Sequence, residues 1–228
     1  MKWGGFTPMT LSDFPGKIAA IAFTRGCNFN CVYCHNRTLL HDSGHASSGC
    51  HWTSEKILAH LERRKKQLEG LVVSGGEPTI QPGLFHFLQQ AKALGYLIKL
   101  DTNGSNPHVL QKLIEHHLLD YVAMDIKAPY HKYNIVANTT VPSQCIQQSV
   151  RLLNSDAVPA EFRVTAISPL HAKTDFEQIC RLVNPCIPLY LQSYQPVATQ
   201  EACGLKPFSG LADIAFNLQK QYENIFVR

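Results

Sequence analysis

Six short runs rich in Ile, Val and Phe, at residues 18–23, 71–74, 97–101, 121–125, 162–167 and 188–192, recur along the chain with helix-like segments between them. Each is apolar towards both faces, the pattern of strands buried in a parallel sheet rather than half-exposed in an antiparallel one. The intervening segments carry helical stripes. Leu84, Phe87, Leu88 and Ala91 follow i, i+3, i+4, i+7, and so do Phe176, Ile179, Cys180 and Val183. Leu211, Ile214, Ala215 and Leu218 form a third stripe, and Ile57, Leu58 and Leu61 open a fourth, ahead of the basic run at 63–66. Six β/α units in succession imply a parallel sheet with right-handed crossovers. Six are fewer than the eight of a closed barrel, so the expected fold is an α/β open, partial barrel of the TIM type. No internal repeat or long linker interrupts it, and a single domain over residues 1–228 is expected. One loop, residues 41–51 (HDSGHASSGCH), stands apart in composition.

In a parallel β/α array, chemistry gathers at the C-terminal ends of the strands. The polar motifs fall there: residues 25–36 follow the first run, 75–78 the second, 101–104 the third and 125–127 the fourth.

Composition narrows the function classes. A chain of 228 residues with 45% hydrophobic and 17% charged residues is an ordinary globular protein, neither disordered nor fibrous. Its net charge of +4 is too small for a dedicated nucleic-acid binder. The longest apolar stretch, residues 18–23, is too short to cross a bilayer, and residues 1–10 lack the pattern of a signal peptide. A cytoplasmic location is therefore expected, with no membrane and no nucleic-acid partner. The eight cysteines are then read as thiols.

Three of those thiols, Cys27, Cys31 and Cys34, share one short loop with x3 and x2 spacing. An iron–sulfur cube takes a soft ligand on each iron, and three cysteines leave one iron open to an exogenous molecule. Gly26 permits a sharp turn ahead of the first ligand. The alternative is zinc, with a fourth ligand from His35, Cys50 or His51. Zinc sites usually pair cysteines as C-x2-C, and the x3 gap argues against one.

The string RGCNFNCVYCHN, residues 25–36, closely resembles the cluster loop of the radical S-adenosylmethionine (SAM) superfamily, including an aromatic residue, Tyr33, before the third cysteine. The resemblance implies a [4Fe–4S] cluster on Cys27, Cys31 and Cys34, with SAM chelating the fourth iron. One electron then cleaves SAM to methionine and a 5′-deoxyadenosyl radical. Ser74-Gly75-Gly76-Glu77-Pro78 looks like the segment that contacts the SAM amino group, with Gly75 and Gly76 allowing close approach and Glu77 supplying a carboxylate. By itself it would be an ordinary strand-to-helix turn. Asp101-Thr102-Asn103-Gly104 and Asp125-Ile126-Lys127 resemble segments of the glycyl-radical-enzyme activases. There Asp101, Thr102 and Asp125 would hold a monovalent cation beside SAM, with Asn103 and Lys127 close to the cofactor. Arg163, inside the fifth run, faces either solvent or the barrel mouth; the resemblance puts it at SAM. Tyr130, His131 and Lys132 lie where the activases continue the SAM-binding wall, with little sequence match.

Gly4-Gly5-Phe6, Ser12-Asp13-Phe14-Pro15-Gly16 and Cys34-His35-Asn36 resemble one activase subgroup, the activating proteins of anaerobic ribonucleoside-triphosphate reductase in their pyruvate formate-lyase activase-related form. The likeness runs from about residue 4 to about residue 130 and fades beyond. It implies a glycyl radical enzyme as partner, anaerobic ribonucleotide reductase being the expected one, and a flavodoxin- or ferredoxin-type electron donor. Two other readings stay open: a radical SAM enzyme acting on a small molecule, like 7-carboxy-7-deazaguanine synthase, and a non-catalytic metal-binding scaffold. Cys180, on an apolar stripe, reads as a core residue. Cys145, Cys186 and Cys203 lack paired spacing, and Cys50 with His45 and His51 reads as a surface loop. The run Arg63-Arg64-Lys65-Lys66 reads as a solvated helix end. Trp3, Trp52, Tyr190 and Tyr194 read as core residues before groove residues.

Overall fold

The computed structural model describes residues 1–40, 52–196 and 204–228. The loop at 41–51 with Cys50, His45 and His51, and Cys203, lie outside the described residues. The chain forms two compact units. The first takes Met1–Asn28, Asn36–Thr102 and His108–Val122; the second takes Phe29–His35, Asn103–Pro107 and Ala123–Arg228.

In the first unit β1 (Trp3–Thr10) pairs antiparallel with β2 (Ala19–Thr24), which pairs parallel with β3 (Gly70–Gly75), and that with β4 (Leu97–Thr102). Register runs from Ala19↔Gly70 to Thr24↔Gly75, so β2 and β3 end side by side. Ala19, Ala20, Leu71, Val72, Val73, Ile98 and Leu100 are all buried, as strands covered on both faces require. α1 (Ser54–Arg64) lies between β2 and β3, α2 (Leu84–Ala93) between β3 and β4, and α3 (Pro107–Glu115) follows β4. Thr53 caps α1 by accepting from the Lys56 amide, and Arg63 and Arg64 close it where the helix dipole favours positive charge. α2 buries Leu84, Phe87, Leu88 and Ala91, the whole expected stripe. Phe14, Ala19, Ile21 and Val72 form one core cluster, with Phe23, Leu97 and Tyr121 against it.

β5 (Tyr121–Asp125) begins in the first unit, where the Asp120 amide donates to the Ile98 carbonyl, and continues into the second. The second unit adds α4 (Tyr133–Ala137), α5 (Ser143–Asn154), β6 (Ala160–Ser168), α6 (Lys173–Cys180), β7 (Leu189–Ser193), β8 (Lys206–Pro207), α7 (Leu211–Gln219) and β9 (Ile225–Val227). β6 pairs parallel with β7, and β7 with β9, while the short β8 lies antiparallel to β6. The Ile126 amide donates to the Arg163 carbonyl, tying the end of β5 to β6. α6 buries Phe176, Ile179 and Cys180; α7 buries Leu211, Ile214, Ala215 and Leu218.

All six apolar runs are strands. β1, β8 and β9 are additions that the pattern did not announce. β1 is half-exposed throughout and carries Gly4, Gly5 and Pro8, so neither alternation nor propensity marks it. β9 is three residues long, with only Ile225 buried.

Candidate active site

In the first unit the site begins where β2 and β3 end together. The Gly76 amide donates to the Thr24 carbonyl (2.9 Å) and the Glu77 amide to the Gly26 carbonyl (2.8 Å). Gly75 has φ +110°, and a Cβ there would collide with the Thr24 backbone; a Cβ at Gly76 would run into the Gly26 carbonyl. Only glycine allows this approach. The segment that leads into Cys27 is thereby pinned to the turn that leads into Glu77.

Glu77 is fully buried. Its Oε1 accepts from the Thr79 amide (3.1 Å), the Thr79 hydroxyl (2.6 Å) and the Thr102 hydroxyl (2.7 Å). Hydrogen bonds to a charged acceptor are the strong ones, and a buried carboxylate requires them. The Thr102 hydroxyl, expected at a cation, donates to Glu77. Asp101 accepts from Lys99, Nζ to Oδ1 at 2.5 Å, and Lys99 is only 2% exposed. Asp101 therefore neutralises a buried lysine that the sequence pattern did not single out.

In the second unit the cysteine loop is fastened by backbone. The Asn30 amide donates to the Ala137 carbonyl, Asn138 Nδ2 donates to the Asn30 carbonyl, and the Phe29 ring meets Tyr133 edge-on. The Cys34 amide donates to the Cys31 carbonyl, closing a tight turn between those two thiols. Cys31 and Tyr33 are buried, and Cys34 is half-buried.

Behind this loop stands a charge cluster. Asp125 Oδ2 meets Lys127 Nζ at 3.0 Å and Asp125 Oδ1 meets Arg163 Nε at 2.8 Å, so two cations share one carboxylate. Burial alone would raise the Asp125 pKa, but Arg163 and then Lys127 hold it well below the usual carboxylate range. Lys127 Nζ also lies 5.8 Å from the Tyr33 ring centre. Burial pushes the Cys31 thiol up, and Lys127 opposes that by favouring the thiolate. The Tyr133 hydroxyl accepts from the Lys127 amide (3.3 Å) and donates to the Asp125 carbonyl (3.4 Å). Asn103 is buried, and its Oδ1 accepts from the Ser105 amide, a turn bond. Arg163 faces Asp125, with its side chain mostly buried.

The residues set aside stay structural. Cys180 is buried and its thiol is pushed up to about 12 by burial. Trp3 meets Phe87 edge-on, Trp52 and Phe6 pack at a tilt as do Tyr190 and Phe226, and Tyr194 is fully buried against His35. Residues 63–66 are exposed.

The donor set fits a [4Fe–4S] cluster. Cys27, Cys31 and Cys34 are thiols in no disulfide, and soft thiolates are the ligands that iron–sulfur clusters take. Among the described residues no three His, Cys, Asp or Glu side chains are already gathered as a metal-binding group. Thiols must lose their protons to bind, so loading the cluster releases protons.

Residues 21–184 match the radical SAM superfamily. The chain belongs to it. This radical SAM enzyme is 31% identical over 199 residues to a protein of Methanocaldococcus jannaschii assigned as a glycyl-radical enzyme activating enzyme, covering 84% of this chain and 79% of the relative. It is 29% identical over 149 residues to the 7-carboxy-7-deazaguanine synthase of Haemophilus influenzae, covering 59% of this chain and 63% of that one. Streptococcus suis SuiB, in its structure with a bound precursor peptide, superposes with a TM-score of 0.70 at 12% identity over 91% of this chain and 48% of its own. At that identity the likeness is one of fold: the parallel sheet and helices of the radical SAM enzymes, consistent with an open barrel. The cofactors of this radical SAM enzyme are a [4Fe–4S] cluster and SAM. Among the described residues no helix is long and apolar enough to cross a membrane.

Proposed function

We propose that this radical SAM enzyme is an activase that installs a glycyl radical on a partner enzyme, with anaerobic ribonucleoside-triphosphate reductase as the partner and a cytoplasmic flavodoxin or ferredoxin as electron donor. The observation that carries the reading is the match to the M. jannaschii activating enzyme across 84% of the chain. The deazaguanine synthase match is shorter, and the Tyr33-Cys34-His35-Asn36 run is the activase form of the loop.

In this proposal Cys27, Cys31 and Cys34 hold the cluster. The bound cofactors supply one-electron cleavage of SAM and hydrogen abstraction from a glycine Cα. The protein's own part is positioning and exclusion of water. Gly75 and Gly76 would let backbone approach the methionine end of SAM, and the Glu77 carboxylate would accept from its ammonium group. Lys127 and Arg163, the two cations at Asp125, would meet the SAM carboxylate. Tyr33 and Asn103 line the cofactor. A monovalent cation at Asp101, Thr102 and Asp125 would share those carboxylates with Lys99, Lys127 and Arg163, and the Thr102 hydroxyl with Glu77.

Anaerobic reconstitution with iron and sulfide, then dithionite and SAM, should yield 5′-deoxyadenosine, and Cys31→Ala should abolish it. Adding anaerobic ribonucleotide reductase should produce a glycyl radical signal by electron paramagnetic resonance. Turnover of a small molecule with no protein partner would overturn the activase reading. Stoichiometric zinc and no SAM cleavage would overturn the radical chemistry in this chain.

A further inference from the structure

His171 has no place in the site as described so far, yet it touches that site from behind. It is 5% exposed and follows β6 in the turn before α6. Its Nδ1 lies 3.2 Å from the Ile167 amide, and its Nε2 lies 2.8 Å from the Lys127 carbonyl. An amide can only donate and a carbonyl can only accept, so the tautomer follows. Nδ1 carries no proton, Nε2 carries one, and the ring is neutral. The imidazole therefore bridges the residue that leaves β5 and the end of β6.

Lys127 is consequently held at both backbone atoms, its carbonyl by His171 and its amide by Tyr133. Its side chain then meets Asp125, which Arg163 reaches from β6. We propose that His171 is a positioning residue: its neutral imidazole fixes Lys127, and through it the Asp125–Lys127–Arg163 cluster, in the orientation that receives SAM. The inference rests on the proposed role of Lys127 and Arg163 at the cofactor.

The surroundings favour the neutral ring. Burial pushes its pKa below the usual 6.5, while the Lys127 carbonyl and Asp175 raise it and Lys132 lowers it. Asp175, on α6, is itself committed to Lys132 (2.7 Å) and to the Ala172 amide (2.8 Å). The Phe176 ring packs against the imidazole at 5.7 Å. With Lys127 these are the charged and aromatic groups that face it. Protonation would set an Nδ1–H against the Ile167 N–H and break the bridge.

Two substitutions divide the imidazole between its nitrogens. His171→Gln extends an amide N–H to the reach of Nε2, keeping a donor for the Lys127 carbonyl. His171→Asn offers only an acceptor at the reach of Nδ1. In the reconstituted enzyme, His171→Asn should weaken SAM binding by about tenfold, as loss of an outer supporting contact typically does. Its rate of 5′-deoxyadenosine formation at saturating SAM should stay close to wild type. His171→Gln should recover most of the affinity. Wild-type affinity should fall as the pH drops below about 6.5, and both variants should lack that slope. Hydrogen exchange of residues 127–131 should speed up in His171→Asn and not in His171→Gln. Equal behaviour of Asn and Gln, or a variant profile that follows wild type with pH, overturns the proposal. Should wild type fail to bind SAM, the functional reading falls, while hydrogen exchange still decides whether His171 anchors Lys127.

Discussion

Thr102 Oγ1 donates to Glu77 Oε1 over 2.7 Å, joining the last residue of β4 to the turn after β3. Both groups are buried, so the bond has no water to replace it. Thr102→Val, which keeps the shape and deletes the donor, should destabilise the fold by about 1–3 kcal/mol, whereas Thr102→Ser should cost well under half of that. Chemical denaturation of the two variants at equal iron content measures the difference, and equal midpoints would remove the bond from the account.

The glycine pair gives a second expectation. Gly76→Ala forces a Cβ into the Gly26 carbonyl, a contact with rigid backbone, and should cost about 3 kcal/mol together with cluster content. Gly95→Ala is the comparison. Gly95 has φ +92° and nothing within 4 Å, so only conformational strain of about 1–2 kcal/mol applies. Thermal melts with iron analysis separate the two, and full iron content in the Gly76→Ala protein would count against the close approach.

Asp125 joins two cations, so Asp125→Asn leaves Lys127 and Arg163 facing one another. Because the Asp125 side chain keeps 33% of its exposure, the cost should be modest, about 2–3 kcal/mol. The sign with pH follows from the depressed folded pKa. The carboxylate contributes fully above its unfolded value of about 4, and that contribution is lost as pH falls towards the lower folded value. The acid limb of a stability–pH curve should therefore be shallower in Asp125→Asn than in wild type.

Thiol reactivity should split by environment. Cys186 is exposed, whereas Cys180 is buried with its thiol pushed up to about 12. Iodoacetamide at about pH 8 should label Cys186 and leave Cys180 intact until the protein unfolds. Peptide mass spectrometry reads both sites at once, and early labelling of Cys180 would show that α6 opens.

What the sequence made legible was periodic or contiguous. Leu84, Phe87, Leu88 and Ala91 announced α2 because a helix must present one apolar face. Residues 71–74 announced β3 because a doubly covered strand cannot alternate. Cys27, Cys31 and Cys34 stood out because three thiols share one loop. The missing parts are long-range pairings. Nothing near Asp125 reveals that Arg163, 38 residues on, takes one of its oxygens. Nothing near Thr102 points to Glu77 rather than to a cation. Lys99 gave a signal that was legible in hindsight, since a lysine inside an apolar run needs a counter-charge and Asp101 is two residues away. His171 gave less: a lone histidine after a strand, whose importance lies in a carbonyl 44 residues earlier.

The meeting of Thr24 with Gly75, and of Gly26 with Gly76, also bears on how such a site could be moved or rebuilt. Its closest approaches join main chain to main chain and have no rotamers to adjust, while side-chain bonds from Thr24 to the Ser74 carbonyl and from Gln81 to the Arg25 carbonyl flank them. Residues 24–27 and 74–77 consequently form one indivisible module. A scaffold given only the cysteine loop would inherit the ligands without the frame that orients the first of them. Grafting both segments together, with their glycines, is the smallest transfer that carries the geometry intact.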